Sequence, residues 1–150
     1  LSSRRQRQMC IRDRLKALKV AKLNAEMHHV QKKIKFLNID VDKYLANKYD
    51  LIVSNPPYIK DIEILSLDKD VKLNEPKLAL SGGKSGLNKV FKVIKKSQKL
   101  LKTNGKLILE IGFKQSKEVK KYLIKNNFNQ IHVFKDLSRK DRCIVSTKAN

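Results

Sequence analysis

Tryptophan is absent from the 150-residue chain, which also holds only two cysteines and three histidines. Cys10 and Cys143 lie far apart in sequence with no second thiol at metal-ligand spacing, so neither a disulfide framework nor a zinc site is expected. We interpret both thiols as unreactive. His28, His29 and His132 have no carboxylates at ligand spacing and are predicted to be structural or exposed. The sequence therefore predicts no metal site.

Long apolar runs are also missing. No stretch approaches the roughly 18 consecutive apolar residues of a membrane span, and the basic N-terminal residues lack the apolar core of a signal peptide. The expected location is therefore the cytoplasm, with no membrane contact. A chain of 150 residues is about one domain and is long enough to bury a core.

The chain has few acidic residues. It contains 14 Asp and Glu and 35 Lys and Arg, which gives a formal net charge of +21. Clustered cations neutralise phosphates, so an anionic partner is one interpretation. The lysines, however, are spread along the predicted helices among many Ile and Asn residues, which is typical of a solvated surface. We favour that surface and keep a weak contact with ribosomal RNA or DNA as the alternative.

Arginine is nearly confined to the first 14 residues. It occurs there as Arg4, Arg5, Arg7, Arg12 and Arg14, and afterwards only as Arg139 and Arg142. A basic arm that grips nucleic acid is one explanation, but the abrupt change to lysine favours a translated vector or adapter sequence. Residues 1–14 are therefore predicted to be a non-native or disordered basic segment outside the fold.

From Leu15 onward, helical and strand patterns alternate. Apolar residues at three- and four-residue steps predict helices over about 15–29, 87–101 and 116–125, and Asn104-Gly105 is interpreted as the turn that ends the second of them. Compact apolar runs predict strands at 34–39, 50–54, 107–111, 131–134 and 143–146. This order predicts an α/β fold with a mostly parallel sheet, covered on both faces, and an antiparallel edge.

A long loop follows the strand that ends at Ser54. Residues 56–85 show no sustained periodicity, and loops of that length in compact domains are usually functional. Asn55-Pro56-Pro57-Tyr58 opens this loop, beyond the carboxyl end of a predicted strand, where open parallel sheets bind their ligands. The loop is therefore predicted to cover a binding site.

The tetrapeptide Asn55–Tyr58 carries groups that suit the methylation of a planar amino nitrogen, whose delocalised lone pair makes it a poor nucleophile. The Asn55 side-chain oxygen and the Pro56 carbonyl can each accept one N–H, which orients the nitrogen and stabilises charge developing on it. Pro56 and Pro57 remove competing donors and fix φ, and Tyr58 offers a flat face for stacking. The alternative is an ordinary turn after a strand.

From Leu15 to the C-terminus, the sequence resembles the release factor glutamine methyltransferase family. The motifs that carry the resemblance are Asp50–Ile59, Glu75–Leu87, Leu109–Gly112, and Lys135–Leu137 with Asp141-Arg142. The Asn-Pro-Pro-Tyr motif is shared with amino-methylating DNA enzymes, whereas the segment from Glu75 points to the glutamine branch. The resemblance implies a Rossmann-like class I methyltransferase sheet, with residues 15–150 as a partial domain, and S-adenosylmethionine as the cofactor.

The resemblance also implies roles for the loop residues. Asn55, Pro56 and Tyr58 would be catalytic, and together with Pro57 they would bind the substrate. Asn55 would in addition touch the cofactor.

Further roles fall outside the tetrapeptide. Asp40 would lie near the adenine of the cofactor with Val41 beside it, although an Asp after a strand is as often a helix N-cap. Glu75 would order the loop or the substrate peptide, or be a plain surface carboxylate. Glu110 is predicted to be paired or at the strand end, because an unpaired carboxylate in an apolar strand is costly. Gly82–Gly86 lacks the spacing of a phosphate loop and is predicted to be a turn.

Three functions remain open. The first is a fragment of a protein-glutamine N5-methyltransferase acting on the Gly-Gly-Gln motif of peptide chain release factors. The second is an amino-methyltransferase of adenine N6 or cytosine N4 in DNA or RNA, and the third is a non-catalytic binding module. Because the family's glycine-rich cofactor loop and N-terminal helical domain have no counterpart here, the chain is expected to be a truncated enzyme.

Overall fold

The computed structural model describes residues 8–12, 15–45, 48–67 and 77–150. The chain forms two compact units, residues 1–45 and 46–150. The first unit contains strand β1 (Gln8–Arg12), helix α1 (Leu15–Met27) and strand β2 (Ile34–Asn38), with single 3-10 turns at Gln31–Lys33 and Val41–Lys43. In the second unit the strands are β3 (Tyr49–Ser54), β4 (Leu101–Glu110), β5 (Phe128–Lys135) and β6 (Asp141–Lys148). Its helices are α2 (Asp61–Ile64), α3 (Lys77–Leu80), α4 (Asn88–Leu100) and α5 (Ser116–Lys125).

In the first unit, β1 and β2 form a parallel pair in which Gln8 is opposite Ile34 and Arg12 is opposite Asn38. Helix α1 connects the two strands, as a parallel pair requires, and it buries Leu18 and Ala25. The prediction that residues 1–14 contribute nothing to the fold is therefore wrong for Gln8–Arg12. The prediction relied on the arginine content of this segment and overlooked its short apolar run, Met9 to Ile11, which is suited to a strand.

We expect deletion of residues 1–14 to free the β2 backbone groups that pair with β1. Amide hydrogens of Ile34–Asn38 that are protected by this pairing should then exchange faster with deuterium, whereas amides of Leu107 and Leu109 in the second unit serve as the internal reference. Hydrogen exchange followed by mass spectrometry measures both. Unchanged exchange in Ile34–Asn38 would restore the view that the segment lies outside the fold.

The second unit is built on a four-stranded sheet of order β3-β4-β6-β5. Strands β3 and β4 are parallel, and β6 is antiparallel to both β4 and β5. The predicted α/β class with an antiparallel edge is confirmed, because the edge strand β5 pairs with β6, which runs against the other three strands. The reason is the short turn after β5, which returns the chain as a hairpin, while the more buried β6 takes the interior position.

Helices α4 and α5 cover the sheet of the second unit. The core joins both helices to β4 and β6, and its fully buried members include Val90, Ile94, Leu101, Leu107, Leu109, Val119, Leu123 and Ile144. Phe91 of α4 stacks on Tyr122 of α5, with ring centroids 4.0 Å apart. On β3, Leu51 and Val53 are 50% and 66% exposed, so the described helices of the second unit do not cover these two side chains.

The region after α4 differs from the prediction. The helix ends at Leu100, and Asn104-Gly105 lies inside the ten-residue strand β4 rather than in a turn. Asn104 nevertheless has the positive φ of a turn residue, 62°, and the β3–β4 register shifts between Tyr49 and Leu51. The sequence correctly indicated a turn-like backbone at Asn104, but this backbone accompanies an irregularity in the β3–β4 pairing and does not end the helix.

Candidate functional site

The register of the second sheet brings three chain segments to one edge. Ser54, the last residue of β3, pairs with Leu109, and Glu110, which follows it, pairs with Cys143 of β6. Because β3 and β4 are parallel, their carboxyl ends lie side by side, and the chain after Ser54 leaves the sheet next to Glu110. Asn55–Tyr58 therefore begins where an open parallel sheet presents its ligand site.

Asn55–Tyr58 forms one side of an open pocket of about 240 Å³, together with Ile59, Ala79 and Leu80. Asn55 is exposed and Pro56 is buried. The prolines have no N–H to continue the β3 ladder, so the strand ends as predicted. The structure thus brings the four predicted substrate residues together in a single pocket.

Backbone hydrogen bonds attach the Ala79–Leu80 side of the pocket to the loop. The Ile59 N–H donates to the Leu80 carbonyl at 3.1 Å, and the Gly82 N–H donates to the Ile59 carbonyl at 2.8 Å. The Ser81 hydroxyl also donates to the Asp61 carboxylate. Residues on both sides of the undescribed stretch 68–76 are therefore connected, and they shape the pocket jointly.

The Tyr58 hydroxyl is engaged as both a donor and an acceptor. It donates to Glu110 Oε1 at 3.0 Å and accepts from Arg142 Nη1 at 3.3 Å. The Nε and Nη2 atoms of Arg142 each donate to Asp136 Oδ2 at 3.2 Å. The prediction that Glu110 is paired or at a strand end is confirmed on both counts.

Burial raises the pKa of Tyr58 above its ordinary value of 10.0, and the hydrogen bond and charge of Glu110 raise it further, against the opposing effect of Arg142. The hydroxyl therefore stays protonated at neutral pH. In Asp136, the backbone hydrogen bond from Lys140 is the largest influence and lowers the carboxyl pKa, partly opposed by desolvation and assisted by Arg142. Asp136 is therefore ionised at neutral pH and can hold the guanidinium.

The backbone of Tyr58 is held by Gln115. Its side-chain Nε2 donates to the Tyr58 carbonyl at 2.9 Å and to the Gly86 carbonyl at 3.2 Å, while its Oε1 accepts from the Gly112 N–H at 3.0 Å. Gly86 has a φ of +75°, and a Cβ there would lie 2.6 Å from the Tyr58 carbonyl oxygen. The segment Gly82–Gly86 is a turn before α4, as predicted, and its last glycine also permits close approach to the pocket loop.

The other predicted site residues are not among the described residues that line this pocket. Asp40 and Val41 belong to the first unit, where Asp40 caps a 3-10 turn and its Oδ1 accepts from the Asp42 N–H at 2.9 Å. The N-cap alternative for Asp40 is thus present in the structure, and a cofactor contact remains a prediction. Glu75 lies outside the described residues.

Sequence reasoning missed Gln115, Arg142 and Asp136 as parts of this site. Asp136 and Arg142 belong to motifs quoted for the family resemblance, which was the available signal, but that resemblance assigned them no role. For Gln115 no signal was present, because its contacts lie 29 and 57 positions away in sequence.

Neither a metal site nor a membrane-spanning helix is present among the described residues. No group of three or more His, Cys, Asp or Glu side chains is placed to hold a metal ion. None of the helices there is long and apolar enough to cross a membrane.

Comparison with known proteins gives the family. Residues 3–139 match the family described as Eco57I restriction-modification methylase. The chain belongs to this family. Solved structures agree with a methyltransferase fold: a methyltransferase from Pyrococcus furiosus aligns with a TM-score of 0.69 and 15% identity, over 96% of this chain and 64% of that one. An S-adenosylmethionine-dependent O-methyltransferase from Thermotoga maritima aligns with a TM-score of 0.63 and 12% identity, over 96% and 50%.

Curated relatives confirm the resemblance found in the sequence. This member of the methylase family is 36% identical over 135 residues to the release factor glutamine methyltransferase of Clostridium acetobutylicum, covering 88% of this chain and 47% of the relative. It is 37% identical over 135 residues to a bifunctional methyltransferase of Rickettsia typhi, covering 89% and 26%. The chain thus spans between about a quarter and a half of the relatives it matches.

Proposed function

We propose that this chain is the substrate-binding part of an S-adenosylmethionine-dependent methyltransferase that acts on the N5 amide nitrogen of glutamine in peptide chain release factors. The observation that carries the proposal is the pocket of Asn55–Tyr58 at the carboxyl end of β3. The printed activity of the Clostridium acetobutylicum relative supports glutamine as the substrate.

The chain's residues would act on the substrate by holding its amide. Asn55 Oδ1 and the Pro56 carbonyl each accept one N–H of the glutamine amide, which fixes the amide plane so that the nitrogen lone pair, perpendicular to that plane, faces the incoming methyl group. Both acceptors gain interaction energy as positive charge develops on that nitrogen, so they stabilise the transition state more than the ground state. Because Pro56 is buried, its carbonyl needs little reorganisation.

S-adenosylmethionine, when bound, supplies an electrophilic methyl group on a sulfonium. The described residues fit such a cofactor in part, because its amino and hydroxyl groups need hydrogen-bond acceptors. In the first unit we propose that Asp40 and Val41 contact it, since Asp40 lies just after the end of β2 and its carboxylate can accept hydrogen bonds. In the second unit we propose a contact from Asn55, whose side chain is exposed at the pocket.

A second candidate is an amino-methyltransferase of adenine N6 or cytosine N4 in nucleic acid. The family description names a restriction-modification methylase, and the net charge of +21 would attract phosphates. Exocyclic base amines have the same planar, delocalised nitrogen as a glutamine amide, so the same pocket chemistry applies to both. The identity of the relatives makes glutamine the first choice.

A chimera distinguishes these substrates. It joins the N-terminal half of the Clostridium acetobutylicum relative to this chain at Leu15, and it is incubated with labelled S-adenosylmethionine and either a release factor or a DNA duplex. We expect label in the release factor, and none in a control release factor whose Gly-Gly-Gln glutamine is replaced by asparagine, because the shorter side chain cannot reach the loop. Label in DNA alone would overturn the glutamine proposal in favour of the second candidate.

A further inference from the structure

Two polar side chains contact the hydroxyl of Tyr58, and a third holds one of them: Glu110 and Arg142 bind the hydroxyl, and Asp136 binds Arg142. Glu110 is the last residue of β4, and Arg142 is the second residue of β6. Asp136 belongs to the turn between β5 and β6, where its Oδ1 accepts from the Lys140 N–H at 3.0 Å. The register that pairs Glu110 with Cys143 brings β4 and β6 together, so the arrangement follows from the sheet.

We propose that Glu110, Arg142 and Asp136 are positioning residues, which hold the ring of Tyr58 rigidly as a wall of the substrate pocket, and that Tyr58 acts through its ring and not by moving a proton. The inference rests on the proposed methyltransferase function. It concerns residues that contact Tyr58, directly for Glu110 and Arg142 and through Arg142 for Asp136, and not the substrate itself.

The hydrogen-bond arrangement supports a positioning role. The single O–H proton of Tyr58 is donated to Glu110, and an oxygen lone pair accepts from Arg142. A general base would need a deprotonated Tyr58 oxygen with a free lone pair. Here the hydroxyl keeps its proton, which it donates to Glu110. The Tyr58 carbonyl accepts from Gln115, so the residue is fixed at its backbone and at its ring terminus.

Arg142 has a second role that must be separated from the first. Two of its nitrogens bind Asp136 at the β5–β6 turn, and Nη1 also donates to the Ile111 carbonyl at 3.4 Å. Loss of the guanidinium could therefore disturb the hairpin without any effect through Tyr58. A test must consequently read out the Tyr58 hydroxyl itself.

The first measurement is a titration of the 150-residue chain labelled at the tyrosine Cζ with carbon-13, which reports each phenol by NMR. Glu110→Gln keeps a hydrogen-bond acceptor and removes the negative charge, so the pKa of Tyr58 should fall. Arg142→Gln removes the positive charge, so that pKa should rise. Arg139→Gln, in the same turn, is the matched control and should leave it unchanged. The absence of the two opposite shifts would overturn the network.

The second measurement is a double-mutant cycle in the chimera, with whichever substrate, release factor or DNA, accepts the methyl group. Tyr58→Phe and Arg142→Gln should each lower kcat on the order of tenfold, as expected for loss of one hydrogen bond to a positioned group. If Arg142 acts through the hydroxyl, the double variant should be little worse than either single one. Glu110→Gln should retain more activity than Glu110→Ala, because the acceptor remains.

Each outcome of the cycle has a definite meaning. Additive losses in the double variant would overturn the positioning role, since Arg142 would then act independently of Tyr58. A Tyr58→Phe variant that loses activity as completely as Asn55→Ala would also overturn it, because the hydroxyl would then take part in the chemistry. The titration does not depend on any substrate, so failure of the network and failure of the proposed function give different results.

Discussion

Replacement of Asn55 by alanine is expected to lower the rate of methyl transfer by the chimera by about 100-fold or more, by analogy with removal of one oxyanion-hole donor. Asn55 is exposed at the mouth of the pocket, so its truncation leaves no cavity in the core. The loss should therefore appear in kcat, with a much smaller change in cofactor affinity. Single-turnover transfer of labelled methyl, combined with calorimetric titration of the cofactor, measures both quantities.

Two variants show whether this loss is specific. Asn55→Asp keeps a hydrogen-bond acceptor but adds a negative charge. Partial activity of this variant would show that the hydrogen bond contributes to the rate even when the charge at position 55 is changed. Asn129→Ala, on the exposed face of the edge strand β5, removes the same group away from the pocket and should leave the rate unchanged. If Asn55→Ala retained more than about a tenth of the activity, equivalent to a loss below about 1.4 kcal/mol, the proposed role of Asn55 would be wrong.

Much of the fold follows from local pattern. The apolar periodicity predicted α1 and α5 within about two residues of their observed ends, and the Asn-Pro-Pro sequence correctly ended β3 at Ser54. Errors arose where pairing overrides local chemistry. Asn104-Gly105 has the composition of a hairpin turn, yet Leu101 before it and Lys106 after it both pair with β3, so it lies within β4 as an irregularity.

The site could be predicted only where it is local in sequence. Asn55–Tyr58 is contiguous, and its chemistry can be inferred from the residues alone. Arg142, by contrast, is 84 positions from Tyr58, and its role depends on β6 entering the sheet between β4 and β5. The predicted antiparallel edge left open which strand lies next to β4, so nothing in the sequence placed Arg142 near the loop. The positioning residues were therefore missed because they depend on the strand order, which local sequence pattern does not determine.

Gly86 links the pocket to the start of α4 by close backbone contact, which makes it sensitive to the smallest substitution. An added Cβ would lie 2.6 Å from the Tyr58 carbonyl oxygen and 2.9 Å from Gln115 Nε2. The first of these atoms is backbone and cannot rotate away, so Tyr58 must move. Since Gln115 binds both carbonyls, displacement of one weakens the other hydrogen bond as well.

We expect Gly86→Ala to destabilise the chain by about 1–2 kcal/mol through its positive φ and by a further ~1–3 kcal/mol through overpacking. Methyl transfer by the chimera should also fall by on the order of tenfold or more, because displacement of Tyr58 changes the pocket. Gly83→Ala is the matched control: its φ of +86° carries the same strain, but its Cβ meets the side chain of Asn88, which can move. Denaturant unfolding and the transfer assay should therefore show a strain penalty in both variants and a loss of activity in Gly86→Ala alone. Equal activities would mean that the Gly86 contact does not control the position of Tyr58.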